Sequence, residues 1–225
     1  MTDAVAGLQL ARLLQLASPA LPIGAYSYSS GLESALDQGL VSDVESAFEW
    51  IADALELVQA RFDAAIVAAA VTRDATDEIE VLDQCVLAGR ETAELRLEAE
   101  QMGFSLGAWI TKVPDAAQAE GATGAAGRSG PVAFGRAAAR LGLAPSVAAT
   151  AWLWGFAENQ VMVLIKAMPL GQIGGQQLLW RLGAVVSRSA RIAAALPPGQ
   201  WSNACPGLAR ASMAHERQYS RLFRS

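Results

Sequence analysis

His215 is the only histidine in the chain, so any proton transfer or metal ligation by imidazole rests on that one residue. Its surroundings, His215-Glu216-Arg217-Gln218-Tyr219, begin like the His-Glu-x-x-His helix of a zinc site, but Tyr219 occupies the position of the second histidine. A mononuclear zinc centre of that kind is therefore not expected. Cys85 and Cys205 are the only cysteines and form no Cys-x-x-Cys pair, which leaves neither a disulfide framework nor a zinc knuckle and suits a reducing cytoplasm. A Ser/His/Asp triad would have to use His215 without a Gly-x-Ser-x-Gly elbow. A helical hydrolase with His215 as its base is accordingly the alternative rather than the main reading. The glycine-rich run Gly121–Gly130 lacks the Gly-Lys-Ser/Thr ending that cradles phosphates, so the chain is not expected to bind GTP itself. The residues predict no catalytic group, no metal ligand set and no cofactor. Glu94, Glu98 and Gln101 fall at i, i+4 and i+7 of one helix, and with Arg90 and Arg96 nearby they read as a solvated, ion-paired face.

Two segments carry more pattern than their positions require. In the tail, helical spacing puts His215, Tyr219, Leu222 and Phe223 on one side and Arg217, Arg221 and Arg224 on the other. Such a stretch can dock on its own core with its arginines in water, or order on a partner. Pro197-Pro198-Gly199 and Pro206-Gly207 set it apart from the body, which predicts a tail that is mobile alone and helical when bound. Near the other end, Ser18-Pro-Ala-Leu-Pro-Ile-Gly-Ala-Tyr-Ser-Tyr-Ser-Ser-Gly-Leu-Glu33 reads as a loop followed by a helix start. Gly24 is expected in a backbone conformation closed to other residues. Tyr26 and Tyr28 either cover the core or meet a partner. Lys166, near the end of an apolar helix, either snorkels to the helix C-terminus or contributes to a surface.

The elements that position these residues are helical throughout. Alanine and leucine dominate, and the periodic stretches exceed strand length, so the fold class is all-α. Leu10, Leu13, Leu14 and Ala17 mark a first helix that must stop at Ser18-Pro19. Ser30-Gly-Leu-Glu33 has capping-box spacing and opens a short helix ending at Gly39; Ser42-Asp-Val-Glu45 opens a long one to about Arg73. Thr76-Asp77-Glu78 starts a helix reaching about Ile110, with a bend or end at Gly103 or Gly107. The Gly121–Gly130 run is a surface loop. Pro131 starts a helix to Leu141, Pro145-Ser146 opens a core helix closed by Met168-Pro169, and a last long helix runs from Gln172 to about Leu196. Without internal repeats, residues 1–225 form one bundle-like domain of about eight to ten helices, with 207–225 as a docking tail.

Composition agrees. A 52% hydrophobic content supports a sizeable core. The net charge of −5 is unevenly spread: residues 42–100 carry 15 acidic and 4 basic side chains, residues 101–225 carry 4 and 12. Ten of those twelve bases are arginine, which suits planar contacts to carboxylates. An acidic pI near 5.0 without a basic run excludes nucleic acid as the expected partner. Val147 to Ile165 is broken by Glu158-Asn159-Gln160 and falls short of a membrane span, and Met1-Thr-Asp-Ala lacks a basic leader, so no membrane or export role is expected.

The Ser18-to-Glu33 string and the tail from His215 together closely resemble the UreF family of urease accessory proteins. Glu94-Leu-Arg-Leu-Glu-Ala-Glu-Gln-Met-Gly103, Val132-Ala-Phe-Gly135 and Lys166-Ala-Met-Pro-Leu-Gly-Gln172 match in the same order, so the resemblance runs from about residue 10 to the final serine. It implies a dimeric helical scaffold that helps insert nickel into apo-urease, joining the accessory protein UreD (UreH in some species) to the GTPase UreG. Carried over by residue, it implies that His215, Glu216, Arg217, Gln218, Tyr219, Ser220, Arg221, Leu222, Phe223 and Arg224 order on UreD/UreH. Lys166, Pro169, Leu170, Gly171 and Gln172 would face UreG, while Gly24, Tyr26, Ser27, Tyr28 and Glu33 serve dimer, partner or fold. A role in activating GTP hydrolysis by UreG is the second reading within the family. Ala25 and Tyr26 stand where glycine and phenylalanine are common, and Arg210-Ala-Ser-Met-Ala before His215 also departs from the pattern.

Overall fold

A computed structural model describes residues 3–113 and 127–225, and among these there are ten α-helices and no strand. α1 (Asp3–Leu16) ends ahead of Pro19 as expected, though it turns Leu13, Leu16 and Ala17 inward and leaves Leu10 and Leu14 exposed. α2 spans Leu32–Asp37 and α3 Val44–Asp53. The capping box of α3 forms one residue later than the Ser42–Glu45 spacing predicts, between Asp43 and Ser46, whose amide lies 2.8 Å from Asp43 Oδ1. The expected box at Ser30–Glu33 does not form. Gly31, at φ 84°, precedes α2 without a side-chain cap, and the Glu33 carboxylate is engaged elsewhere.

The long helix predicted from Ser42 to Arg73 is three pieces. α3 runs into a π-helical turn, Ala54–Gln59, and the chain breaks at Phe62 before α4 (Asp63–Val71). The break drives the Phe62 ring into a core cluster with Ile66, Ile79, Leu82 and Val86. It also sets Asp63 against Arg90, 2.6 Å away. The second long helix divides likewise into α5 (Thr76–Ala88) and α6 (Ala93–Ile110), with Thr92 Oγ1 capping the Leu95 amide. Gly103 does not bend α6. It lets the helix approach residues 128–129, where a Cβ would stand 2.1 Å from the Arg128 carbonyl oxygen.

Residues 121–126 of the expected surface loop lie outside the described residues, and 127–130 are not a free surface. Asp83 Oδ1 and Oδ2 accept the Ser129 and Arg128 amides at 2.9 and 2.8 Å, and Ser129 is buried. That anchor leads into α7 (Gly130–Arg140). α8 (Pro145–Ala167) is the central element, followed by α9 (Gly171–Ala195) and α10 (Pro206–His215). Leu153, Val161 and Leu164 of α8 pack with Leu178, Leu182 and Val185 of α9, Ile51 of α3 and Leu32 of α2. Each such aliphatic side chain contributes about 1.5–3 kcal/mol by leaving water. No helix among the described residues is long and apolar enough to cross a membrane.

Several arginines of the second half meet carboxylates of their own chain. Arg181 bonds Glu45 and Arg188 bonds Glu56, at 2.8 and 2.5 Å. The buried Arg136 closes the end of α4 through the Arg73 carbonyl and Asp74.

Candidate functional site

The two informative segments, far apart in sequence, meet on one side of α8. The amides that interrupt that apolar helix hold the first of them: Asn159 Nδ2 donates to the Tyr28 carbonyl at 2.8 Å and Gln160 Nε2 to the Ser29 carbonyl at 3.1 Å. Gly24 takes a left-handed conformation at φ 76°, as expected, and starts a 3-10 turn over Ala25–Ser27. Tyr28 is buried and its hydroxyl donates to Gln101 Oε1 on α6. Tyr26 is half-buried, and burial next to Glu158 raises its phenol beyond the usual range.

The tail closes over this loop. The Ser29 amide donates to the Ser225 carbonyl and the Arg224 amide to the Ser27 carbonyl, each at 2.8 Å. Phe223 is buried in the main core cluster, and Lys166 Nζ stands 5.1 Å from its ring centre. That contact joins the tail to the exposed segment of Pro169, Leu170, Gly171 and Gln172, in which only Leu170 is partly covered.

The tail expectation is corrected in two respects. The helix ends at His215, and residues 216–225 turn back over the chain rather than continuing as an amphipathic helix. The reason lies in two carboxylates. Glu33 Oε1 accepts the Leu222 amide at 2.6 Å and Glu33 Oε2 the Phe223 amide at 3.0 Å, taking donors that a helix would direct to its own carbonyls. Glu94 accepts from Arg221 at 2.6 Å, and Glu216 Oε1 accepts the Ala93 amide at the start of α6. The segment is therefore fastened to its own chain rather than free. His215 and Phe223 point inward, while Tyr219 is fully exposed and Leu222 is 68% exposed, so the predicted single apolar side is split. Arg217, Ser220, Arg221 and Arg224 are exposed around them, and Gln218 is half-buried.

Glu94 and Glu98 are not a solvated face, whereas Gln101 is exposed as expected. Glu94 binds His215 and Arg221, Glu98 Oε2 receives the Ser225 hydroxyl at 2.9 Å, and Gln101 receives Tyr28. Arg90 turns to Asp63 instead, and Arg96 to Glu100. Burial pushes the Glu98 carboxyl up to about 7, against the pull of the Ser225 hydroxyl and the Arg90 charge. A partly open cavity of about 110 Å³ lies beside it, lined also by Asp63, Arg90 and Asn159. The signals for these residues were present in the sequence: three polar side chains at helical spacing on α6, and two amides inside an apolar helix.

The geometry gives His215 no access to a substrate, since it is 0% exposed and both ring nitrogens face carboxylates. Among the described residues no group of three or more His, Cys, Asp or Glu side chains is arranged to hold a metal ion. What reaches the surface is a loop with one aromatic and one aliphatic side chain amid arginines, on an all-helical frame.

The UreF family model matches residues 41–183, and the chain belongs to the UreF family of urease accessory proteins. It is 48% identical to urease accessory protein UreF of Dechloromonas aromatica (strain RCB), over 97% of this chain and 98% of that one. Identity to the UreF of Azoarcus sp. (strain BH72) is also 48%, over 97% and 96%, and to that of Ectopseudomonas mendocina (strain ymp) 45%, over 95% and 97%. The loop at Gly24–Glu33 and the tail both fall outside the span of the family model.

Proposed function

We propose that this urease accessory protein is a non-catalytic assembly scaffold that assists nickel insertion into apo-urease by bridging UreD/UreH and the GTPase UreG. The observation that carries this reading is the exposed pair Tyr219 and Leu222, held on a loop whose backbone is fixed by Glu33. Large apolar side chains presented on a fixed frame lose little conformational freedom on binding, which favours a docking role. UreD/UreH takes this loop, with Arg217, Arg221 and Arg224 meeting acidic groups on it. UreG takes the neighbouring surface of Lys166 and Pro169–Gln172, and contact between Lys166 and Phe223 supports coupling of the two. The protein works in the cytoplasm as a homodimer, a reading supported by the large apolar side chains Ile173 and Trp180 left exposed on α9.

Titration calorimetry of the full chain with purified UreD/UreH tests it. Tyr219→Ala and Leu222→Ala should each weaken binding by about tenfold or more while leaving the melting temperature unchanged. Undiminished binding of the double variant would remove the tail from the interface.

A further inference from the structure

A glycine inside a helix costs about 0.5–1 kcal/mol relative to alanine, so each one calls for a reason. At Gly103, Gly135 and Gly175 the reason is close packing, since a Cβ would collide with the Arg128 backbone, the Val67 carbonyl and the Ile165 side chain. Gly155 has no such neighbour. It lies in the middle of the 23-residue α8, and a Cβ there would meet nothing within 4 Å. Its place is on the wall of the cavity beside Glu98, where a side chain would take up the space. The rest of that wall is firmly held. Phe134 and Trp152 meet edge to face with ring centres 5.3 Å apart, and the Trp152 indole N–H donates to Gln59 Oε1 at 2.9 Å. Gln59 ends a π-helical turn, a rare geometry that is frequent at functional sites.

Leu95 and Met102 of α6 add to the apolar lining, while Glu98 and the Asp63–Arg90 pair bring polar groups to it. Asp63 and Arg90 balance each other, and burial keeps the Glu98 carboxyl neutral well above the usual carboxylate range, so the cavity favours a neutral occupant. A neutral carboxyl both donates and accepts a hydrogen bond. An apolar wall with a few polar groups, one of them shifted in pKa, is the common make-up of a ligand site. A metal ion is not what it suits, because among the described residues no three ligating side chains converge. Size narrows the class: a cavity of about 150 Å³ takes benzene, with six heavy atoms, so one of about 110 Å³ takes roughly five. We propose that this cavity binds a small neutral ring compound carrying a hydrogen-bond donor beside an acceptor. Ile23 and Tyr26 line it as well, which puts the ligand beneath the loop that the tail closes over. The site belongs to this chain alone and stands whichever partners the protein joins.

Pyrazole, a neutral five-membered ring with adjacent N–H and N, is the probe. In ¹⁵N-labelled full-length protein at about pH 6, it should shift the Gly155 amide and the Trp152 indole N–H with a dissociation constant on the order of 1 mM. Gly155→Leu should weaken binding by about tenfold or more by filling the space. Gly155→Ala, which favours the helix and so keeps the fold, should weaken it by about threefold. Glu98→Gln retains a donor and an acceptor and should bind pyrazole as the parent does, whereas Glu98→Leu should lose about tenfold or more. Furan, similar in size but without the N–H, should also bind about tenfold more weakly. No shift at about 50 mM pyrazole, shifts that neither Gly155 variant reduces, undiminished binding by Glu98→Leu, or furan binding as tightly as pyrazole would each overturn the proposal.

Discussion

Glu33 does for the tail what no other single residue does, since its two oxygens receive two backbone amides and face the His215 ring. Removing a buried carboxylate with three partners leaves each of them unsatisfied, so Glu33→Ala should cost about 3–5 kcal/mol, read as a lowered midpoint in urea at unchanged slope. Glu98 behaves in the opposite sense. Its carboxyl is raised from 4.5 to about 7, so the folded chain binds this proton more tightly than the unfolded one. The stability linked to it is present at pH 4.5 and below and is lost as pH rises towards 7 and beyond. Glu98→Gln keeps an acceptor for the Ser225 hydroxyl and removes that loss. The variant should be more stable than the parent at pH 8, by on the order of 1 kcal/mol, and equal to it near pH 4. Chemical denaturation at the two pH values decides the matter, and equal stability at pH 8 would mean that Glu98 is hydrated.

At the scale of elements, the break between α6 and α7 rests on Asp83, which receives the Arg128 and Ser129 amides and the Ser129 hydroxyl. Asp83→Ala should cost about 1–3 kcal/mol and open the peptide bonds at 127–129 to limited proteolysis. Gly103→Val should do similar harm through contact with the Arg128 backbone. Much of this layer was legible in the sequence. Proline and capping residues marked the ends of α1, α3, α7 and α8 because those signals act within a few residues. The breaks at Phe62 and Gly89 were not legible, because each is set by the other: the Phe62 ring lies where a Cβ on Gly89 would be, 2.6 Å from its Cζ. The tail failed for the same reason. Helical spacing grouped His215 with Tyr219, but the acceptors that end the helix sit on α2 and α6, and periodicity carries no information about them. Glu94 and Glu98 looked solvated until the segment that covers them was placed.

For the molecule as a whole, the docked tail reverses the expectation of a tail that is mobile alone. Deleting residues from His215 onward removes Phe223 from the core and strips Glu33 and Glu94 of their partners, so the melting temperature should fall by several degrees. Tyr219→Ala should not move it, and the contrast separates the inner face of the tail from its outer one. Light scattering should return twice the 23.5 kDa chain mass at micromolar concentration, as the proposed homodimer requires. The hydrogen bond between Ser29 and Ser225 also has a consequence for synthesis. It spans 196 positions. At the roughly 5–20 residues per second of translation, Ser29 emerges about 10–40 s before the residue it binds. Through that interval Glu33 has none of the tail amides to receive. A nascent chain stalled before Phe223 therefore lacks the bonds that set the orientation of Tyr219 and Leu222, and the partner proposed to read them would meet that arrangement only once Phe223 has left the ribosome.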